Sequence, residues 1–338
     1  MYIGKIQGLS VEIATDAPNH SVICFGASGT GKTCRMHQIE LAEAEKGGTV
    51  IVLDMHQTHE PNQIFEPISH EYEEKANRIL VLQDGINMNF LNISSENQAE
   101  LVVTVNSVLA ALSGPFSFGT KQTAALREAI IFGIYNLNQF IDSMTAIGAG
   151  LQRQNTEASR CVFEKLWTLL YLQVFHGDRN IQEGKINIIS LTGMDILTQE
   201  ILGELILSFL WKNAMSFGQY LKQNITVVLD EFQGLSLQKG STLRSMLCEG
   251  RKFHLGLLMA TQSINIFKRE EQIALDQAGT KLFFRPGDNE VRKMARQLGL
   301  DSVDKHVKTL SDLRIGQSVV NGKITVNGNK INRTVVLE

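Results

Sequence analysis

The chain has little of what marks a disordered, secreted or membrane-spanning protein. Its 338 residues include only five prolines and no polar tract, which excludes long unfolded stretches. No uncharged apolar run reaches the roughly 18 residues that a spanning helix needs. The opening MYIGKIQGLSVEI lacks the basic-then-apolar layout of a signal peptide. The expectation is a cytoplasmic protein with no membrane insertion. The four cysteines, Cys24, Cys34, Cys161 and Cys248, form no C-x-x-C pair, so reduced thiols are expected. Excess positive charge is missing as well: Lys and Arg total 32 against 35 Asp and Glu, a net charge of −3. A broad basic face for nucleic acid is thereby excluded, and any such contact has to come from a local cluster or a ring of several copies. No internal repeat is apparent. What remains, 43% hydrophobic and 20% charged, is the composition of a globular protein with a sizeable core.

The most informative stretch is CFGASGTGKTCRM, residues 24 to 36. Gly26, Ala27, Ser28, Gly29, Thr30, Gly31, Lys32 and Thr33 match the phosphate-loop pattern G-x-x-x-x-G-K-[ST] in full. A β-rich run, SVICFG, precedes it, and a helically periodic KTCRMHQIELAEAEK follows. A strand, a glycine turn and a helix N-terminus converge backbone N–H groups and the positive end of a helix dipole on one point. The loop is expected to hold a nucleoside triphosphate, ATP, with Lys32 on the β- and γ-phosphates and Thr33 in the shell of a Mg2+ ion.

Binding alone is not hydrolysis. The run ITVVLDE, 225 to 231, reads as a central parallel strand buried on both faces and ending in two carboxylates. Asp230 is the expected Mg2+ partner. Glu231, on the other side of the pleat, is the expected group that polarises the attacking water. An acidic pair marks a hydrolase, and the guanine-reading N-K-x-D is absent. Further on, HLGLLMATQ is another buried strand with Gln262 at its C-terminal end, where open α/β sheets place their ligand chemistry and where an amide can sense the γ-phosphate.

Taken in order, GASGTGKT, VVLDEFQ, LCEGRKFHLGLLMATQ and GTKLFFRPGDNEVRKMARQLG resemble the ATPase core of the HerA/FtsK superfamily, whose members include HerA DNA translocases and, more distantly, VirB4- and VirD4-type conjugation ATPases. The likeness runs from about residue 20 to 300 and is greatest to the HerA branch. It implies a RecA-like α/β fold with a mainly parallel sheet, working as a homo-hexameric ring around DNA, with a nuclease or other effector as partner. It also implies an arginine that reaches the γ-phosphate of a neighbouring subunit. Arg285, after TKLFF, matches the family position; Arg251, in EGRK, is the alternative, and the sequence leaves open which one crosses the interface. Two departures stand out. Only about 20 residues precede the phosphate-loop strand, enough for one or two strands but not for the family's N-terminal β-barrel. After TVIVLD the family's D-x-x-G-E is replaced by Asp54 followed by Met55, His56, Gln57, Thr58 and His59. His56, His59 and Glu60 are expected in a solvated loop rather than around a metal.

The expected organisation is one RecA-like domain over 1–338, with a helical insertion at about 96–176 and a β segment at about 315–338. The run QEILGELILSFLWKNAMSF reads as a long helix whose apolar stripe belongs to the core, and VVNGKITV reads as a C-terminal hairpin. Two loops could line a pore: SGPFSFGTKQ with Lys121, and GLSLQKGST with Lys239. One lysine per subunit becomes a basic ring in six copies, although the plain alternative for each is a solvated side chain. The leading expectation is an ATP-driven DNA translocase or helicase. Two alternatives stand beside it: a VirB4-type conjugation or secretion ATPase, and a nucleotide-gated scaffold or switch that assembles an effector complex.

Overall fold

The apolar runs form the middle of a nine-stranded sheet in the computed structural model, which describes every residue except 18, 94–97, 218–222, 300–301 and 332–333. In chain order the strands are β1 (Tyr2–Ile6), β2 (Leu9–Ile13), β3 (Val22–Phe25), β4 (Thr49–Asp54), β5 (Ala76–Leu80), β6 (Ile186–Ser190), β7 (Ile225–Asp230), β8 (Leu255–Thr261), β9 (Thr280–Phe283), β10 (Ser318–Gly322), β11 (Ile324–Val326), β12 (Asn329–Ile331) and β13 (Val335–Leu337). The large sheet runs β13-β10-β9-β3-β8-β7-β4-β6-β5. Strands β9 to β5 in that order are parallel, while β10 and β13 add an antiparallel edge. Every residue of β3, β4, β6 and β8 is buried, as a sheet covered on both faces requires.

The two-residue period of a strand divides the core in two. Ile23, Phe25, Ile51 and Leu53 face the helical insertion, which runs from the helix Gln98–Ser113 to the short turn Val174–His176. The helix Ile196–Phe217 packs on the same face through Ile201, Leu202, Leu205 and Ile206. Val22, Cys24, Val50 and Val52 face the phosphate-loop helix, Lys32–Glu45, through Met36 and Ile39. Among the described residues no helix is long and apolar enough to cross a membrane.

The N-terminal and C-terminal segments meet in a second sheet, four-stranded and antiparallel, ordered β1-β2-β11-β12. This corrects the hairpin expected at VVNGKITV. β10 pairs with β9 and β13 in the large sheet, whereas β11 pairs with β2 and β12 in the small one. Asn321-Gly322 is a corner between sheets: a Cβ at Gly322 would lie 2.7 Å from the Gly279 carbonyl, and the next carbonyl, Lys323, accepts from Ala14 N at 2.9 Å. The turn that closes a hairpin is the next one, Asn327-Gly328, with φ of 47° and 79°, the left-handed pair that a two-residue hairpin loop demands.

Arg35, one turn into the phosphate-loop helix, ties these pieces together. Its guanidinium is buried and donates to the carbonyls of Ile3 (2.8 Å), Gly316 (3.1 Å) and Glu338. Three segments far apart in sequence thus share one buried cation with all its charge directed at carbonyl oxygens.

Candidate nucleotide site

The C-terminal ends of β3, β4, β7, β8 and β9 converge on one edge of the sheet, because the strands are parallel and adjacent. From β3 the loop Gly26–Gly31 turns into the helix beginning at Lys32. Gly26 has to be glycine: a Cβ there would stand 2.6 Å from the Phe284 Cβ. Gly31 adopts φ 100°, and a Cβ would meet Gly316 at 2.8 Å. Lys32 Nζ lies over the loop, donating to the carbonyls of Gly26 (2.9 Å) and Ala27 (3.1 Å). The Ala27 N–H donates to the Arg285 carbonyl at 3.0 Å and fixes the loop to the end of β9.

Asp230 ends β7, and its carboxylate accepts from the Thr33 hydroxyl at 2.9 Å. Burial pushes its carboxyl above the usual range, with the Thr33 hydrogen bond acting against the shift. A hydroxyl and a carboxylate side by side are hard oxygen donors that suit Mg2+. Glu231 does not continue the pleat as the alternation in the sequence implied. The strand stops at Asp230, and Glu231 takes a left-handed backbone, φ 54° and ψ 55°. The Gln233 amide then donates to Glu231 Oε2 at 3.0 Å, while Gln233 Oε1 accepts from Thr261 at 3.4 Å. This chain links the ends of β7 and β8. Sequence reasoning passed over Gln233, although it stands two residues after the acidic pair. Gln262 follows Thr261 and is exposed at the same edge.

The two arginines part company. Arg285 is exposed at the end of β9, beside the phosphate loop of its own chain. Arg251 precedes β8, whose seven residues span roughly 20 Å. It therefore sits at the opposite end of the sheet, and only a second copy could bring it to a nucleotide.

Asp54 serves its own loop. Its carboxylate accepts backbone N–H groups of His56 (3.3 Å), Thr58 (3.1 Å) and His59 (3.3 Å). His59 is not solvated as expected but fully buried, with Nε2 at 3.2 Å from Glu40 of the phosphate-loop helix and Nδ1 at 3.0 Å from Thr58. Tyr72 donates to the other Glu40 oxygen. Burial favours neutral groups, yet the mutual attraction holds Glu40 below and His59 above their ordinary ranges. No group of three or more metal-binding side chains occurs among the described residues.

The two loops picked out for their lysines meet at one cavity of about 590 Å3, lined by Gly114 and Pro115 from the first and by 234–236 and 238–242 from the second. Lys239 lines it and Lys121 does not. Sequence reasoning did not anticipate the acids there: Glu200, Glu204 and Glu271. Glu204 accepts from Ser236 N at 2.7 Å, and burial, with Glu200 adding a little, pushes its carboxyl up to about 7.

Residues 10–332 match the family described as AAA-like domain. Over 354 aligned residues the chain is 23% identical to the DNA double-strand break repair helicase HerA of Sulfurisphaera tokodaii, covering 95% of this chain and 66% of that one. The chain thus spans less than two thirds of that relative. VirB4 of Thermoanaerobacter pseudethanolicus is similar in fold, with a TM-score of 0.73 at 16% identity over 100% of this chain and 96% of that one. The bacterial conjugative coupling protein TrwB gives 0.70 at 14% identity over 99% and 88%. A family match across almost the whole sequence, on a fold shared with these proteins, makes the chain a member of the AAA-like domain family, a P-loop ATPase of the HerA/FtsK type.

Proposed function

We propose that the chain is the motor of a homo-hexameric ring that translocates or unwinds double-stranded DNA by hydrolysing ATP, in company with a nuclease or other effector. The observation that carries the proposal is the hydrogen-bonded run from Thr33 through Asp230 to the Glu231–Gln233–Thr261 chain on the phosphate-loop edge. Support for the DNA cargo comes from the relative named as a DNA repair helicase, which aligns over 95% of this chain.

In this reading the loop N–H groups of Gly29, Gly31 and Lys32 and the Lys32 ammonium bind the β- and γ-phosphates. Thr33 and Asp230 would hold Mg2+, which would neutralise phosphate charge; TrwB, similar in fold, has a structure in complex with ADP and Mg2+. Glu231 accepts hydrogen bonding from the water whose oxygen attacks the γ-phosphorus as the bridging oxygen leaves. Gln233 orients Glu231, Gln262 senses the γ-phosphate, and Arg285 or a neighbour's Arg251 meets the charge of the transition state. Loops 113–122 and 234–242 bear on DNA.

The test is steady-state ATP hydrolysis with and without double-stranded DNA, with Lys32→Ala and Glu231→Gln as controls. A several-fold rise with DNA, lost in both variants, supports the motor. Hydrolysis indifferent to DNA refutes it. One observation favours a second reading, in which the cargo is protein, as in a VirB4-type ATPase: three carboxylates share the cavity wall with Lys239, and phosphate backbones avoid such a surface.

A further inference from the structure

The turn 314–317 is fastened to the phosphate loop yet leaves a large apolar side chain in solvent. The Gly316 N–H donates to the Thr30 carbonyl at 3.0 Å, and its carbonyl accepts from Arg35 at 3.1 Å. Gly316 also abuts Gly31, where a Cβ would come within 2.8 Å of it. The turn is closed on itself: Gln317 N donates to the Arg314 carbonyl, and Arg314 N to Gln317 Oε1, both at 3.0 Å. On either side Leu313 and Ser318 are buried. A segment held at so many points is a fixed part of the loop's surroundings.

Ile315 stands at its tip. Two covalent bonds separate its Cα from the Gly316 nitrogen, so that Cα lies within about 5–6 Å of the Thr30 carbonyl oxygen. The side chain is 80% exposed, the highest value for a large apolar residue among the described residues. A single exposed isoleucine is ordinary on a protein surface. One pinned beside a phosphate-binding loop is not, because a nucleoside has to extend past the phosphates along the rim of that loop. The rim here offers an aliphatic surface, with the exposed Arg314 next to it.

We infer that the turn 314–316 is the nucleoside-binding edge of the site, with Ile315 covering a ring face of the nucleobase. The inference rests on the nucleotide reading and deepens it. An aliphatic contact reads the flat face of a base and not its exocyclic groups, so adenine and guanine nucleotides bind alike.

The experiment measures equilibrium binding of ATP, GTP and inorganic tripolyphosphate, each with Mg2+, to the full chain, to Ile315→Ala and to Ile315→Ser, with Tyr135→Ala as an exposed control in the insertion. Ile315 supports no packing, and an unchanged melting temperature verifies that each variant is folded. The expected result is a loss of about five- to tenfold in ATP and GTP affinity, as covering a few tens of Å2 of apolar surface implies, with tripolyphosphate and the control unchanged. Equal ATP affinity in variant and parent overturns the inference and leaves the nucleotide reading standing. Equal losses for ATP and tripolyphosphate overturn it too, since the turn would then merely support the phosphate loop. A loss seen only at concentrations where the chain self-associates overturns it in favour of a contact between copies. If the parent binds neither ATP nor tripolyphosphate, the nucleotide reading itself fails, and the inference falls with it.

Discussion

Replacing Glu204 by glutamine should make the protein more stable at alkaline pH and leave it nearly unchanged in acid. The carboxyl is largely buried on the helix Ile196–Phe217, one turn after Glu200, and its value in the folded chain is about 7 against an ordinary 4.5. The folded state therefore holds this proton more tightly than the unfolded chain does. Below pH 4.5 both states are protonated and no penalty exists. It grows between 4.5 and 7 and is complete above 7. At about 1.4 kcal/mol per pH unit, the span amounts to a ceiling of about 3 kcal/mol, or about 4 °C in melting temperature for a chain of this size. A glutamine oxygen can still accept from Ser236 N, so the substitution removes the charge while keeping the contact. The assay is thermal or urea unfolding of parent and Glu204→Gln at half-unit steps from pH 5 to pH 8.5. The difference between the two should open as pH rises. A difference that stays flat across that range would refute the reasoning, because it would mean that Glu204 ionises in the fold as freely as in water.

Three other outcomes are expected. Arg35→Met leaves three carbonyls without their cation and should cost about 3–5 kcal/mol in urea unfolding, with hydrogen-exchange protection of β1 lost first; a cost below 1 kcal/mol would mean that the clamp is incidental. Gln233→Ala frees Glu231 and should lower kcat for ATP about tenfold with KM unchanged, so a rise in KM alone would place Gln233 in binding instead. A thiol reagent at pH 8 should label the exposed Cys161 and Cys248 quickly and leave Cys24 untouched until unfolding, because burial pushes the Cys24 thiol up to about 12; rapid mass gain at Cys24 would contradict the packing.

Legibility in the sequence followed the range of the interactions. Apolar runs such as ITVVLD and LGLLMAT read as buried strands because a strand covered on both faces has no polar residues to spare. The phosphate loop read directly, its chemistry being local to eight residues. Long-range partners did not. VVNGKITV has the alternation and turn residues of a hairpin, yet β11 finds β2 some three hundred residues away, and nothing in either segment names the other. His59 looked solvated in a run of polar residues, since its partner Glu40, itself held by Tyr72, lies on a separate helix. Glu231 left the pleat because the strand ended one residue sooner than the carboxylate pair suggested. Two of the acids at the cavity, Glu200 and Glu204, were hidden within an otherwise apolar helix, where spacing showed the face but not what would stand opposite it.

The small sheet has a consequence for the order in which the molecule can be completed on the ribosome. β2 leaves the ribosome some three hundred residues before β11, the edge it needs. Gly316, which props Thr30 and Gly31, likewise follows them by nearly three hundred residues. The phosphate loop is thus translated long before its brace, so a nascent chain stalled before residue 314 should carry every residue of the loop and still fail to retain ATP. Vectorial synthesis in this protein separates the making of the site from its locking.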